Sequence, residues 1–219
     1  MNPEHFGFMD PDMRDIWEKI DPNTLKGYQL HGGTALALYL NHRKSTDFDF
    51  FRADGGPVER RLIEQWAWLR HARFRGSSGM VDAVVDGPRR AVAFNFVGID
   101  DFNGIAPRHP PNIAANGVRV GHPVDVLTGK LAAMSNRRMT RDYWDVACAF
   151  RHIPEALGEA AELYISDYMT VENTVAELAK TVMAFPLEAE QELPEPLIAE
   201  LSGFASSLGR HIEPTQDTS

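Results

Sequence analysis

Cysteine is almost absent from this chain of 219 residues: Cys148 stands alone, so no internal disulfide can form and the fold must be held by its core. Set within Val146-Ala147-Cys148-Ala149-Phe150, that thiol reads as a small packing residue of a helix rather than a nucleophile. Long apolar runs are missing too. No segment approaches the unbroken length of a membrane span, and the first residues lack the basic, then apolar, then small-residue order of a signal peptide. No membrane role is therefore expected, and the expected address is the cytoplasm. Net positive charge is also lacking: the formal charge is -9, which excludes a nucleic-acid binder that works by bulk charge. The deficit is local. Residues 151–219 hold 3 basic and 13 acidic side chains, which leaves the first 150 residues near neutral, with basic groups at Arg70/Arg73/Arg75, Arg89/Arg90 and Arg137/Arg138/Arg141. Such groups suit either a solvated face or the guidance of an RNA strand, which the acidic part would repel.

What is present is concentrated in residues 30–51. Asp47, Phe48, Asp49 and Phe50 alternate polar and apolar, and the side-chain period of a strand puts both aspartates on one face and both phenylalanines on the other. Two carboxylates that close stay ionised at neutral pH only with cations between them, and hard oxygen ligands suit magnesium or manganese. Upstream, Gly32-Gly33 separate the short apolar run 27–30 from Thr34 to Leu40, which is rich in alanine and leucine. That order predicts strand, turn and helix. The glycines admit close backbone approach, and the amides opening the helix suit phosphate. A helix of about nine residues is roughly 13 Å long, so a returning strand can bring Asp47 and Asp49 back beside the turn. Arg43 stands where a guanidinium can meet a phosphate.

Further along, Pro123 suits a first helical turn, and Val124, Leu127, Leu131 and Met134 form an apolar stripe at helical spacing. Lys130 lies at the edge of that stripe, where an ammonium needs an anionic partner: a triphosphate or Asp47/Asp49, unless it snorkels to water. A second helix, around 140–152, has Tyr143, Val146, Ala147 and Phe150 as its apolar face. Its spacing offers Arg138 with Asp142 and Arg141 with Asp145 as surface ion pairs.

Gly-Gly-Thr-Ala-Leu at 32–36, His42-Arg43, Ser45 and Asp47-Phe48-Asp49-Phe50, followed by Lys130 and then Arg141-Asp142 with Asp145, resembles the AbiEii/AbiGii toxin family of nucleotidyltransferases, a branch of the DNA polymerase beta superfamily. The two blocks anchor roughly residues 28 to 150. The resemblance implies an α/β (α+β) fold: a polymerase-beta-like nucleotidyltransferase core with a small mixed sheet, over 1–120, and a helical region completing the active-site cleft, over 121–219. It implies that Gly32, Gly33, Thr34, Arg43 and Ser45 bind the nucleotide, and that Asp47 and Asp49 bind Mg2+ or Mn2+. Lys130, Asp142 and Asp145 complete the catalytic set, and Lys130→Ala is expected to lose transfer while keeping the fold. The substrate implied is an NTP, and the acceptor is RNA, with a tRNA 3′ end first and a protein hydroxyl second. The partner implied is a cognate antitoxin. One departure stands out: the superfamily's third carboxylate belongs on a neighbouring strand, yet the best candidate strand, 91–97, offers Asn95, leaving Asp86, Asp100 or Asp101 as substitutes. The alternatives are an antibiotic-modifying nucleotidyltransferase and a catalytically degenerate nucleotide-binding module.

The remaining pattern predicts a helix near 11–20, an amphipathic helix near 57–71 on Leu62, Trp66 and Leu69, strands near 80–85 and 89–97, and a long Pro, Gly and Asn-rich segment over 98–117. Helices are expected near 155–167, 170–184 and 194–208.

Overall fold

Asp10 opens the first helix in the computed structural model, which describes residues 2–54, 56–76, 79–98, 106–168, 174–184 and 193–211. Its carboxylate accepts a hydrogen bond from the Met13 amide at 2.9 Å, Pro11 takes the first helical position, and α1 (Pro11–Lys19) buries Met13, Ile16 and Trp17. The chain then forms β1 (Tyr28–His31), α2 (Gly32–Leu40) and β2 (Asp47–Arg52). Next come a single turn, α3 (Arg60–Ile63), and the strands β3 (Arg73–Gly76), β4 (Met80–Asp86), β5 (Ala91–Gly98), β6 (Asn112–Ile113) and β7 (Arg119–Val120). The helices α4 (Pro123–Arg137), α5 (Thr140–His152), α6 (Pro154–Tyr168), α7 (Thr174–Met183) and α8 (Glu195–His211) follow. Two units divide the chain, Met1–Val126 and Leu127–Ser219. No helix among the described residues is long and apolar enough to cross a membrane.

The first unit is built on a mixed seven-stranded sheet in the order β3-β4-β5-β2-β1-β7-β6. β2 runs parallel to β5 and antiparallel to β1. Its period of two decides the architecture. Phe48 and Phe50 point to one side, are fully buried, and stack on Phe94 and Phe96 of β5 at 5.0 and 5.7 Å between centroids. Trp17 from α1 lies flat on Phe48 at 5.6 Å. Asp47 and Asp49 therefore face the other way, as the sequence predicts.

Three local expectations are corrected. The amphipathic helix over 57–71 is only α3 and a 3-10 turn at Ala67–Leu69, with Trp66 extended between them (ψ 123°) and Leu62 50% exposed. The two indoles account for the break. Trp66 and Trp68 stack on each other at 5.7 Å while their rings meet Phe96 and Phe94; a continuous helix would turn residues two apart to opposite sides, and the break at the extended Trp66 avoids this. Residues 73–76, where no strand is predicted, form β3, which sets Arg73 and Arg75 on the sheet edge. Within the proline-rich segment, β6 pairs with β7, while residues 99–105 lie outside the described residues.

In the second unit, α8 packs on α5, α6 and α7. The predicted stripe of α4 is buried throughout, as are Tyr143, Val146 and Ala147 of α5. Cys148 is buried on α5 too, which fits a packing residue.

Candidate active site

In the first unit the site begins where β1 becomes α2. The helix starts at Gly32 itself, so the two glycines form its first turn rather than a turn ahead of it. Gly32 has φ +69°, a conformation that favours glycine, and the carboxylate of Asp49 lies where its Cβ would be. The Arg43 guanidinium occupies the corresponding space over Gly33. The absent side chains thus let one carboxylate and one guanidinium lie directly on the opening turn of a helix, whose free amides carry the positive end of its dipole.

Thr34 and Ser45 hold this corner together. The fully buried Thr34 hydroxyl donates to the Asp47 carbonyl and lies 2.8 Å from Ser45 Oγ. The start of α2 is thereby tied to the start of β2. Asn41 closes α2 in the left-handed region (φ 48°), its amide donating to the Ala37 carbonyl, and turns the chain back toward β2.

A row of polar side chains crosses the sheet through Asp49. Cross-strand partners project to the same side, and the register runs Arg75, Asp82, Asn95, Asp49, His31 from β3 to β1. Asn95 Nδ2 donates to Asp49 Oδ1 at 2.7 Å, which orients the carboxylate. Sequence reasoning singled out Asn95 but missed Asp82, one strand further on, whose buried Oδ1 has no hydrogen-bond partner among the described residues. Of the substitutes named from sequence, Asp86 lies near the end of β4 in an exposed ion pair with Arg73, while Asp100 and Asp101 lie outside the described residues.

His31 ends the row in a different state. It is stacked on Phe51 at 4.8 Å, its ring lies against the backbone at Gly121, and Nε2 has no partner among the described residues. Burial pushes its pKa down to about 4, with Asp125 opposing. The folded form is thus neutral, and between about pH 6.5 and 4 the unfolded chain binds a proton that the native one does not. Stability must fall as pH drops through that window, by at most about 1.4 kcal/mol per pH unit from this group. Urea unfolding at pH 7 and pH 5 should show wild type losing about 1 to 2 kcal/mol more than His31→Gln; equal losses would mean that His31 is hydrated.

The second unit gathers the downstream residues. Lys130 Nζ lies 3.0 Å from Asp142 Oδ1 and 2.7 Å from Asp145 Oδ2, and both aspartates are fully buried. The half-exposed Arg137 donates to both Asp142 oxygens, through Nε at 2.9 Å and Nη2 at 3.0 Å. The anionic partners of Lys130 in this structure are therefore Asp142 and Asp145. The surface pairing of Asp142 with Arg138 is replaced by Arg137, because Arg138 takes a left-handed conformation (φ 46°) at the turn into α5. Burial pushes the Asp142 carboxyl up, but Lys130 and Arg137 outweigh it and hold it below the usual range. That stabilisation is present above about pH 4 and is lost as pH falls through the depressed value.

The donor set fits a divalent cation. Among the described residues no group of three or more His, Cys, Asp or Glu side chains is close enough together to enclose a metal, so an ion on Asp47 and Asp49 would keep water and phosphate oxygens as its other ligands. Magnesium and manganese bind in that manner.

The model of the family described as nucleotidyl transferase AbiEii toxin, of type IV toxin–antitoxin systems, matches residues 26–217. Among solved structures, the chain is similar to JHP933 from Helicobacter pylori, with 17% identity and a TM-score of 0.58 over 90% of each chain. It is also similar to the nucleotidyltransferase toxin MenT4 from Mycobacterium tuberculosis, with 15% identity and a TM-score of 0.53, covering 83% of this chain and 75% of that one. These likenesses extend to the fold. No curated protein matches the sequence significantly.

Proposed function

Because the chain belongs to the AbiEii nucleotidyl transferase toxin family, we propose that it transfers a nucleoside monophosphate from an NTP to RNA, with a tRNA 3′ end as the leading acceptor and a protein hydroxyl as the second. The acceptor oxygen bonds to the α phosphorus, the bond from that phosphorus to the bridging oxygen breaks, pyrophosphate leaves and the acceptor proton passes to water. The observation that carries this reading is the placement of Asp49 against Gly32 and of Arg43 against Gly33. A carboxylate for a cation and a guanidinium for a phosphate meet at one helix N-terminus.

Asp47 and Asp49 would hold one or two magnesium or manganese ions. The bound ion supplies charge neutralisation on the triphosphate. Asn95 orients Asp49 through its 2.7 Å hydrogen bond. The opening amides of α2 and the Arg43 guanidinium bind phosphate oxygens, while Thr34 and Ser45 fix the corner that aims them. Lys130, which lies against Asp142 and Asp145, is kept as the proposed catalytic cation of the second unit, with those two aspartates as its positioning partners. In this reading the toxin acts in the cytoplasm and is held in check by a cognate antitoxin.

Each of the four α-labelled ribonucleoside triphosphates, incubated with magnesium or manganese and then with a chelator, tests this against total RNA and total protein. Label from one nucleotide entering small RNA, and stopping on chelation, is the expected result. Label in protein alone would move the acceptor to a protein hydroxyl. No label in either, from a folded protein that still binds NTP, would overturn the reading in favour of a small-molecule acceptor or a binding module.

A further inference from the structure

The sheet face that carries the two carboxylates continues to an arginine edge. In one row across it stand Asp47, Ala93, Val84 and Arg73, and in the next Asp49, Asn95, Asp82 and Arg75. Strand spacing of about 4.8 Å puts β3 roughly 14 Å from β2, a span that a few nucleotides of single strand can cross. Between Asp47 and Arg73 the row holds only the short side chains of Ala93 and Val84, both partly exposed. No carboxylate interrupts it, whereas Asp82 interrupts the other.

The charge at the far end suits a polyanion. β3 is an edge strand of the sheet, and both of its arginines are exposed. Arg75 has no ion pair among the described residues. Arg73 pairs with Asp86, but both are about 60% exposed, and a surface pair of that kind contributes too little to exclude a phosphate. Charged residues also guard sheet edges against pairing with other chains. That explanation accounts for the charge but not for a low, open path leading from it to Asp47. Since the chain carries a formal -9, RNA binding has to come from a local feature rather than from bulk attraction.

We propose that this face is the acceptor track. A single-stranded RNA 3′ end lies across Ala93 and Val84, with backbone phosphates on Arg73 and Arg75 and its terminal hydroxyl delivered to Asp47 and Asp49. The inference rests on the transfer reading with RNA as acceptor, and adds the route by which the acceptor arrives.

The test is fluorescence anisotropy of a short labelled single-stranded RNA over a salt series, with triphosphate binding measured in parallel. Arg73→Glu/Arg75→Glu is compared with Lys19→Glu/Lys26→Glu, which makes the same charge change at two exposed lysines off this face. The arginine variant should bind RNA about tenfold or more weakly, with the slope of log affinity against log salt reduced by about 1.4 for two lost phosphate contacts. Triphosphate affinity should stay at the wild-type value, and the lysine variant should bind RNA as wild type does. Equal weakening by both variants, or by neither, overturns the track, and wild-type labelling of RNA in the same preparations would leave the transfer reading intact. A wild-type protein that binds NTP but neither binds nor labels RNA overturns both. Should the charge reversal unfold the edge, Arg75→Gln must raise the KM for RNA without changing that for NTP, and an unchanged RNA KM counts against the track.

Discussion

Asp49→Asn is expected to lower transfer by about 100-fold or more while the protein folds and melts as wild type. The geometry separates the two effects. Asn95 Nδ2 donates to Asp49 Oδ1 at 2.7 Å, and an asparagine at position 49 can turn its amide oxygen to accept the same bond. The shape and the bond from Asn95 survive, and the charge goes. With two carboxylates proposed to hold the cation, removing one forfeits about half of the protein's anionic contribution. A loss of about 3 kcal/mol in transition-state stabilisation corresponds to about 100-fold in rate. The loss should appear in kcat for nucleotide incorporation, measured with a saturating acceptor, and should be partly offset by raising the magnesium concentration. A variant that transfers at the wild-type rate would remove Asp49 from the cation site and leave Asn95 without a catalytic reason to orient it.

The legibility of this site in the sequence followed the range of each interaction. Asp47 and Asp49 share a face through a period of two that any strand imposes, so their pairing was readable without knowing the strand's neighbours. Thr34 to Leu40 announced its helix through composition alone. Asp82 was not readable, because nothing near residue 82 says that β4 lies beside β5, or that the register sets Asp82 opposite Asn95. The same holds for β3: four residues with arginine at two of them carry no periodic signal long enough to tell a strand from a charged loop. The failed helix over 57–71 had the right apolar spacing and lost to a tertiary demand. Two tryptophans two residues apart both seek the phenylalanine layer of β5, and a continuous helix would point them to opposite sides. Lys130 was legible as a lysine in need of an anion, but its partners come from the next helix, and their burial follows from packing that local spacing does not contain.

Lys130→Ala should unfold or strongly destabilise the second unit, against the sequence-based expectation that the fold survives. Both aspartates that face Lys130 are fully buried, and Lys130 itself is 5% exposed. Arg137 still serves Asp142 through two hydrogen bonds, but Asp145 loses the ammonium that lies 2.7 Å from its Oδ2. Breaking a buried pair from one side costs about 3 to 5 kcal/mol, a large part of the 5 to 15 kcal/mol by which a typical domain is stable. Loss of transfer in this variant would therefore say nothing about catalysis. The informative variant is Lys130→Met/Asp145→Asn, which removes one charge of each sign at nearly constant volume, and denaturant unfolding should show it regaining most of the lost stability. If Lys130 carries charge for the reaction, the double variant stays inactive although folded, and Lys130→Arg recovers stability together with part of the rate. A folded double variant with wild-type transfer would make Lys130 a structural cation only. A Lys130→Ala protein as stable as wild type would mean that water reaches Asp145 and that this pair contributes little to the fold.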